Sequence, residues 1–249
     1  MDKLQGKVAI ITGGASGIGK GVAEVFAEAD IAGLVIVDIE NAEEAAAEFD
    51  DGARTRALGI RADVAAAAQV EAMVEQAVSE FGRVDILVNN AGIAPPIKWP
   101  DVTEENWRHV LDINLNGAFL CTLNVLPIMC RQQSGRIVNI SSVGAFLGSV
   151  SAHPAYGVSK AGLIAMTKSL AKAYAKDGIL VNAVAPGSID TPLARSLGPD
   201  QVKQYIDTAL LKRQGSPHEL ADAVFYLVSD RSTYVTGSTL HVNGGSLLI

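Results

Sequence analysis

The sequence has little cysteine. Its 249 residues include two, Cys121 and Cys130, which lie nine positions apart and form no CxxC pair. That spacing offers neither a disulfide framework nor a set of metal ligands. We therefore expect no metal site. We expect both thiols to be small core residues of a protein in a reducing compartment, with the cytoplasm as the default location.

Positive charge is also scarce. Lys and Arg number 20 against 27 Asp and Glu, which gives a formal net charge of −7. Nucleic acids and anionic membranes need a basic footprint, so we expect neither as a partner. No uninterrupted apolar run approaches the roughly 20 residues that cross a bilayer. The first residues, MDKLQGKVAIITGG, do not resemble a signal peptide, because their short apolar run leads straight into a glycine turn.

Aliphatic residues are abundant, and they form short β-branched runs that alternate with longer Ala-rich helical patterns. The runs predict strands over 8–12, 33–38, 54–60, 85–90, 135–141, 180–187 and 239–245. Helices are predicted near 17–30, 41–49, 66–81, 103–131, 155–176 and 217–229. Strands that are apolar on both faces and separated by helices favour a doubly wound (Rossmann-type) three-layer α/β fold with a seven-stranded parallel sheet. With no linker or break in composition, we expect one domain over 1–249.

Residues 188–216 differ from the rest of the chain. The segment is more polar, contains Pro192 and Pro199, and includes a short amphipathic stretch near 200–211. It follows the carboxyl end of a predicted strand, which is where open α/β sheets bind ligands. We interpret it as a substrate lid within the domain. The alternative is an ordinary surface excursion.

A glycine-rich turn follows the first predicted strand. The stretch TGGASGIG, residues 12–19, places Gly13, Gly17 and Gly19 in a G-x-x-x-G-x-G pattern that leads into a helix. Removing side chains lets the backbone approach a pyrophosphate, and the helix N-terminus offers free N–H groups and a positive dipole end. Strand, turn and helix occur in the required order. The pattern therefore favours nucleotide binding over a plain tight turn.

The second predicted strand ends in Asp38, about 20 residues after the glycines. A carboxylate at this point bonds the adenosine ribose hydroxyls and repels the 2′-phosphate of NADP. Neither Ser16 nor Ile39 supplies a compensating cation. The expected cofactor is therefore NAD. A strand-end turn former would explain Asp38 alone, but not its coincidence with the glycine loop.

Tyr156 and Lys160 lie four positions apart in AYGVSKAG, so they share one face of a predicted helix. Alone, such a pair is most often an ordinary surface pairing. A phenol titrates near ~10, too high for a good base at neutral pH, and lowering its pKa by two or three units takes roughly 3–4 kcal/mol. A nearby cation is a plausible source of that energy. We therefore expect Lys160 to lower the pKa of Tyr156.

Several further motifs resemble those of the single-domain short-chain dehydrogenase/reductase family, and the likeness covers nearly the whole chain. Besides TGGASGIG, these motifs are Asp63–Val64, NNAG at 89–92, the Asn of DINLNGAF, ISS at 140–142, YGVSK at 156–160, PGSIDT at 186–191 and VTGSTLHVNGG near the C-terminus. Each is weak alone. Their order on these predicted elements makes the resemblance specific.

The resemblance implies a role for each matching position. It implies that Tyr156 is the acid/base, Lys160 its activator and a ligand of the nicotinamide ribose, Ser142 the group that orients the substrate oxygen, and Asn114 the holder of a water linked to Lys160. Ser141 also fits the serine motif, so the register stays open. Asp63 is equally compatible with a helix N-cap. The implied cofactor contacts are Gly13, Ser16, Gly17, Ile18, Gly19, Asp38, Asp63, Val64, Asn90, Ala91, Gly92, Tyr156, Lys160, Pro186, Gly187, Ile189 and Thr191.

The expected substrate pocket has no Arg or Lys to hold a carboxylate or phosphate. Its expected residues are Ala94, Pro95, Ser149, His153, Ser188, Leu193 and Leu197. This favours an NAD-dependent enzyme that interconverts a neutral, moderately hydrophobic secondary alcohol and its ketone. A 3-oxoacyl-acyl-carrier-protein reductase is the alternative. Such enzymes resemble this chain but generally favour NADP and carry cations at the mouth, where we match Gln133 and Asp177. A third possibility is a non-catalytic nucleotide-binding protein.

The resemblance also implies a homotetramer. In it, the helices near 103–131 and 155–176 pair between subunits and the apolar C-terminus SLLI lies at an interface. The small residues along the second of these helices are equally compatible with packing inside one chain.

Overall fold

The computed structural model describes residues 3–148 and 152–249. Its strands are β1 (Val8–Thr12), β2 (Gly33–Asp38), β3 (Arg56–Arg61), β4 (Ile86–Asn89), β5 (Gly135–Ile140), β6 (Ile179–Pro186) and β7 (Thr239–Val242). They form one seven-stranded sheet in the order β3-β2-β1-β4-β5-β6-β7, and every neighbouring pair is parallel. The doubly wound α/β fold predicted from the sequence is confirmed.

Helices cover both faces of the sheet. They are α1 (Gly17–Glu28), α2 (Ala42–Ala47), α3 (Ala67–Phe81), α4 (Glu104–Leu111), α5 (Gly117–Gln132), α6 (Gly144–Leu147), α7 (Pro154–Tyr174), α8 (Pro192–Arg195), α9 (Pro199–Thr208) and α10 (Pro217–Val228). Successive strand side chains point to opposite faces. Ile11 accordingly joins the core under α1 and α10, whereas Ile10 joins the core under α3 and α5.

The helix predicted over 103–131 has a break that the sequence did not reveal. Between α4 and α5, residues Asp112–Asn116 form a π-turn, with one extra residue in the turn. Such turns are rare, and they occur often at functional sites. This one contains Asn114, which is 1% exposed.

The third strand begins at Arg56 rather than at the predicted residue 54. The Asp51 carboxylate accepts hydrogen bonds from the backbone N–H groups of Ala53, Arg54 and Thr55, at 3.0, 2.7 and 3.0 Å. A carboxylate that bonds nearby N–H groups offers the backbone an alternative to the sheet ladder. Arg54 and Thr55, the first two residues of the predicted strand, therefore belong to this turn and not to β3.

Residues 188–216 follow β6 and contain α8 and α9, in the region of the predicted amphipathic stretch. A parallel bridge between Ile189 and Gly215 holds the two ends of the segment together. None of the residues of α9 is buried. The two ends of the segment are thus joined to each other, whereas α9 between them buries none of its residues.

The stretch Glu104–Gln132 is long and apolar enough to cross a membrane by length and composition, with a mean hydropathy of 1.5 in its most apolar window. Half of that window is buried inside the fold, and the core helices of soluble proteins pass the same test. Cys121 lies in this stretch and is buried, and burial raises the pKa of its thiol to about 12. Cys130 is half-buried.

Candidate active site

The carboxyl ends of β4, β5 and β6 lie side by side, and the residues after them border a cavity of about 290 Å³. Parallel strands bring their carboxyl ends to one edge of the sheet, which is where such folds bind ligands. Ten of the predicted catalytic and cofactor residues line the cavity: Ile18, Asn90, Gly92, Ser142, Tyr156, Lys160, Pro186, Gly187, Ile189 and Thr191. One cavity therefore collects residues from five separate motifs.

Tyr156 and Lys160 lie one turn apart near the start of α7, as their spacing predicts. The Lys160 Nζ atom lies 5.8 Å from the centre of the Tyr156 ring. It donates a hydrogen bond of 2.8 Å to the carbonyl oxygen of Ile140, the last residue of β5. This bond joins the helix to the sheet edge. Burial lowers the pKa of Lys160 from 10.5 to about 8, because an apolar environment disfavours the charged form.

The pKa of Tyr156 in the free protein is raised, whereas the sequence predicted that the neighbouring Lys160 would lower it. Burial raises the pKa of Tyr156, a hydrogen bond with Ser142 lowers it, and the nearby Tyr205 raises it further. Burial is the largest of these effects, so the phenol of the free protein is held in its neutral form at neutral pH. The sequence could not show this, because it does not reveal how deeply the phenol lies.

The two candidate serines have different neighbours. Ser142 lines the cavity, and its Oγ accepts a bond of 3.0 Å from Gly144 N–H. It lies close to Tyr156, since a Cβ placed on Gly144 would be 3.4 Å from Ser142 Oγ and 3.5 Å from the Tyr156 ring. Ser141 is buried, and its hydroxyl donates a bond of 2.8 Å to the backbone carbonyl of Lys160. Ser142 therefore has the geometry of a substrate-orienting group, while Ser141 fastens α7 to the end of β5.

Asn114 joins the loop after β4 to α7. Its Oδ1 accepts from Ile93 N–H at 2.8 Å, and its Nδ2 donates to Ile93 O at 2.9 Å and to Ser159 Oγ at 3.2 Å. A Cβ placed on Gly92 would lie 3.2 Å from Asn114 Oδ1 and 3.4 Å from Lys160 Nζ. Asn114 and Lys160 therefore converge beside the backbone of Gly92.

The glycine loop is packed too tightly for side chains. A Cβ on Gly19 would lie 2.1 Å from the Gly13 carbonyl oxygen, and one on Gly13 would lie 2.9 Å from Asn90 Nδ2. Gly13 and Gly17 also have positive φ, at 62° and 53°, which L-residues with side chains rarely adopt. Ser16 occupies the N-cap position of α1 without a side-chain cap. The first turn of α1 therefore keeps N–H groups available to an anion.

Asp38 holds the glycine loop to the end of β2. Its two carboxylate oxygens accept from Ala15 N–H at 3.1 Å and from Ile39 N–H at 2.8 Å. Asn90 binds the same loop from β4, since its Nδ2 donates to the carbonyl oxygens of Thr12 and Gly13, both at 2.9 Å. These hydrogen bonds connect the end of β4 directly to the glycine loop. Ala91 joins it by donating its N–H to Thr12 Oγ1 at 3.1 Å.

Asp63 and Val64 lie beyond the end of β3. The Asp63 carboxylate accepts from Ala65 N–H at 2.9 Å, but α3 begins at Ala67 with Ala66 as its N-cap. Asp63 therefore closes a turn before the helix rather than capping it. Val64 is buried against the start of α5, where a Cβ on Gly117 would lie 2.7 Å from its side chain.

The predicted substrate residues divide into three groups. Ala94, Ser188, Leu193 and Leu197 line the cavity. Pro95 and His153 do not: the His153 ring is 0% exposed and has protein partners at both nitrogens, so its assignment to the pocket is wrong. Ser149 lies outside the described residues.

Sequence reasoning missed several lining residues, among them Tyr205, Val143, Leu147 and Ala194. Tyr205 comes from α9 and lies close enough to Tyr156 to influence its pKa. The amphipathic pattern of 200–211 was visible in the sequence. Which of its faces would meet the cavity depends on the path of the lid, which no local pattern records.

Comparison with known proteins agrees with this geometry. A family profile described as enoyl-(acyl carrier protein) reductase matches residues 13–246. The oxidoreductase UcpA of Salmonella typhimurium is 40% identical to this chain over 100% of this chain and 97% of its own. The 3-oxoacyl-[acyl-carrier-protein] reductase FabG of Aquifex aeolicus is 41% identical over 98% of each chain. The crystal structure of a short-chain type dehydrogenase/reductase from Mycobacterium marinum superposes with a TM-score of 0.93 at 34% identity, covering 99% of this chain and 98% of that one.

The fold and the cavity define an α/β oxidoreductase whose cavity opens at the carboxyl edge of the sheet. The chain belongs to the short-chain dehydrogenase/reductase family.

Proposed function

We propose that this chain is an NAD-dependent oxidoreductase that interconverts a neutral, moderately hydrophobic secondary alcohol and its ketone. One observation carries the proposal: Tyr156, Lys160 and Ser142 line one cavity beside a glycine loop to which Asp38 is hydrogen-bonded, and the buried Asn114 lies behind it, next to Gly92. The third possibility, a non-catalytic nucleotide-binding protein, therefore has less support.

The residues fit a nicotinamide dinucleotide. The glycine loop lets backbone approach a pyrophosphate, and the uncapped first turn of α1 offers N–H donors to it. Asp38 lies at the end of β2, where a carboxylate accepts from ribose hydroxyls and opposes a 2′-phosphate. The stretch Pro186–Thr191 and Lys160 would hold the nicotinamide end. The bound dinucleotide would supply the hydride acceptor for oxidation of the alcohol carbon.

The side chains of this protein would handle the proton. In the oxidation direction, the Ser142 hydroxyl orients the substrate oxygen and the ionised Tyr156 oxygen takes the hydroxyl proton. In ketone reduction the neutral phenol gives that proton back, which suits a group that burial keeps protonated. The Lys160 ammonium stabilises the phenolate by its charge. Asn114 holds the loop that carries Gly92 against Lys160.

The cavity supports a neutral substrate. The side chains around its mouth, including Ala94, Leu193, Leu197 and Leu147, are apolar, and Ser142, Tyr156 and Ser188 supply hydroxyl groups. Its one lysine, Lys160, is bonded to Ile140 O. Arg195, the cation of α8, is paired with Asp190 at 2.9 Å.

Reduction of 3-oxoacyl chains on acyl carrier protein is the second candidate, favoured by relatives that bear that name. Gln133 and Asp177, which the sequence matched to the cationic mouth positions of such enzymes, do not lie at the cavity of their own chain. Gln133 precedes β5 and Asp177 precedes β6, so both lie at the amino edge of the sheet, opposite the cavity. The remaining evidence against this candidate is Asp38, which opposes NADP.

Initial rates of reduced-nicotinamide formation test the proposal. NAD and NADP are compared side by side across neutral secondary alcohols of increasing size, and a 3-oxoacyl thioester is assayed in the reverse direction. The proposal expects turnover with NAD on several alcohols and little with NADP. Turnover confined to the thioester with NADPH would support the second candidate. Binding of NAD with no turnover on any substrate would support a non-catalytic role.

We also propose that the protein is a cytoplasmic homotetramer whose partners are small molecules rather than nucleic acid or membrane. The support is apolar surface on the two helices expected at the subunit contact. Phe119 and Leu123 on α5 and Val158 on α7 are each about half exposed, at 49%, 51% and 50%. Leu248 and Ile249 at the C-terminus are also exposed. Light scattering coupled to size exclusion measures the assembly directly, and a monomer at micromolar concentration would contradict it.

A further inference from the structure

His153 immediately precedes α7, the helix that carries Tyr156 and Lys160, and its ring is 0% exposed. A buried imidazole costs free energy unless both nitrogens have partners. Both have one: Nδ1 accepts from Ala155 N–H at 3.0 Å, and Nε2 lies 2.8 Å from Asn106 Oδ1. The Trp107 ring packs against the imidazole with the ring centres 6.2 Å apart. The His153 ring is therefore held in one position by two hydrogen bonds and one ring contact.

These contacts allow one protonation state. Because Nδ1 accepts a hydrogen bond it carries no proton, so the proton of the neutral ring is on Nε2. Asn106 Oδ1 is independently identified as an acceptor, because it also receives Thr103 N–H at 2.9 Å, while Asn106 Nδ2 donates to Asp101 O at 3.1 Å. Nε2–H therefore donates to Asn106. The chain of bonds runs from α7 through His153 to the turn that begins α4.

The same residue is also fixed through its backbone. Its N–H donates to the Pro95 carbonyl oxygen at 2.7 Å, and its carbonyl oxygen accepts from Tyr156 N–H at 2.8 Å. Pro95 follows Ala94, which lines the cavity. His153 therefore holds together three elements around the phenol: the loop after β4, the start of α4, and the first turn of α7.

We propose that His153 is a positioning residue for Tyr156, acting as a neutral cap that fixes the first turn of α7 against Asn106 and Pro95. The phenol needs this support because its ring has to stay beside Ser142, which belongs to the segment after β5: a Cβ placed on Gly144 would lie 3.4 Å from Ser142 Oγ and 3.5 Å from the Tyr156 ring. If the first turn of α7 were free to move, the Tyr156 ring would move away from Ser142 before Lys160, one turn further into the helix and bonded to Ile140 O, was disturbed. This inference rests on the proposed role of Tyr156 in proton transfer.

The test compares His153→Ala with His153→Asn, and with His109→Ala as a matched control on exposed α4 surface. Asn is a strong N-cap residue and keeps the bond to Ala155, but it is too short to reach Asn106. We expect His153→Ala to lower kcat by about tenfold or more, since small displacements of a catalytic group cost up to ~10²-fold. The KM for NAD should stay within about twofold, because the glycine loop is not touched. His153→Asn should recover part of kcat, and His109→Ala should behave as the parent.

A second readout needs no substrate. Titrating tyrosinate absorbance in each protein, minus the same protein carrying Tyr156→Phe, isolates the phenol of Tyr156. Since the neighbouring Ser142 hydroxyl lowers the pKa of Tyr156, a ring displaced from Ser142 in His153→Ala should have a higher pKa, and His153→Asn should partly restore it. An unchanged phenol titration in His153→Ala, or a kcat within about twofold of the parent, overturns the inference. If no alcohol is turned over but the phenol titration moves as described, the positioning role stands and the proposed function fails.

Discussion

The buried Lys160 makes a prediction about stability as well as catalysis. Its pKa is lowered from 10.5 to about 8 in the folded protein. At ~1.4 kcal/mol per pH unit, charging this lysine in the fold costs about 3 kcal/mol more than charging it in the unfolded chain. Lys160 is only 4% exposed, so solvent screening removes little of this cost. The buried, charged Lys160 beside Tyr156 therefore lowers the free energy of unfolding at neutral pH.

The free energy of unfolding changes with pH because the folded and unfolded states lose the Lys160 proton at different pH values. Below about pH 8 Lys160 is protonated in both the folded and the unfolded state, and the folded state is destabilised by the full cost of burying the charge. As pH rises from about 8 towards 10.5, the folded protein loses the proton before the unfolded chain does, so the free energy of unfolding rises with pH. Between roughly pH 7.5 and pH 10, about 2 kcal/mol of the cost should disappear.

The perturbation is Lys160→Met, which keeps the length of the side chain and removes the charge. It is made in a Tyr156→Phe background, because the phenol would otherwise titrate in the same range. Urea unfolding is measured for Tyr156→Phe and for the double variant at about pH 7.5 and pH 10. The stability of Tyr156→Phe relative to the double variant should increase by about 2 kcal/mol across this interval. A constant or falling difference would refute the account of a buried, destabilised ammonium.

Four further variants test the cofactor loop and the two serines. Asp38→Ala should weaken NAD binding and relieve the exclusion of NADP; an unchanged coenzyme preference, measured from kcat/KM, would make Asp38 only a turn residue. Gly19→Ala should destabilise the protein by about 1–3 kcal/mol in urea unfolding, because its Cβ would meet Gly13 O at 2.1 Å; parent-like stability and NAD affinity would show that the loop can move aside. Ser142→Ala should lower kcat by about 10²-fold and raise the pKa of Tyr156. Ser141→Ala should act on stability first, and the reverse ranking of the two serines in kcat would contradict the assignment.

Much of the fold could be predicted because its signals are local. Each buried parallel strand is a continuous apolar run, and the glycines of the first turn are required by contacts such as that of Gly19 with Gly13. The spacing of Tyr156 and Lys160 fixes their shared helix face whatever surrounds them. These features depend on neighbouring residues in the chain, which a single sequence displays directly.

The features that the sequence did not reveal depend on distant contacts. Asn114 was expected within a continuous helix over 103–131, and only the structure shows the π-turn that contains it and the bond from Ile93 N–H to its Oδ1. His153 was expected in the substrate pocket, yet its two ring nitrogens are bonded to residues of α4 and α7. The pKa of Tyr156 was expected to fall because its charged neighbour was visible in the sequence, whereas its burial was not.

The most direct test of the account is the comparison of Tyr156→Phe with the parent protein, with NAD binding and initial rate measured on the same samples. The variant keeps the ring and removes only the oxygen that handles the proton. We expect NAD affinity within about threefold of the parent and a kcat lower by ~10²–10⁴-fold, the usual contribution of a general acid or base. Substantial residual turnover by Tyr156→Phe with normal NAD binding would contradict the assignment of Tyr156 as the proton-transferring group.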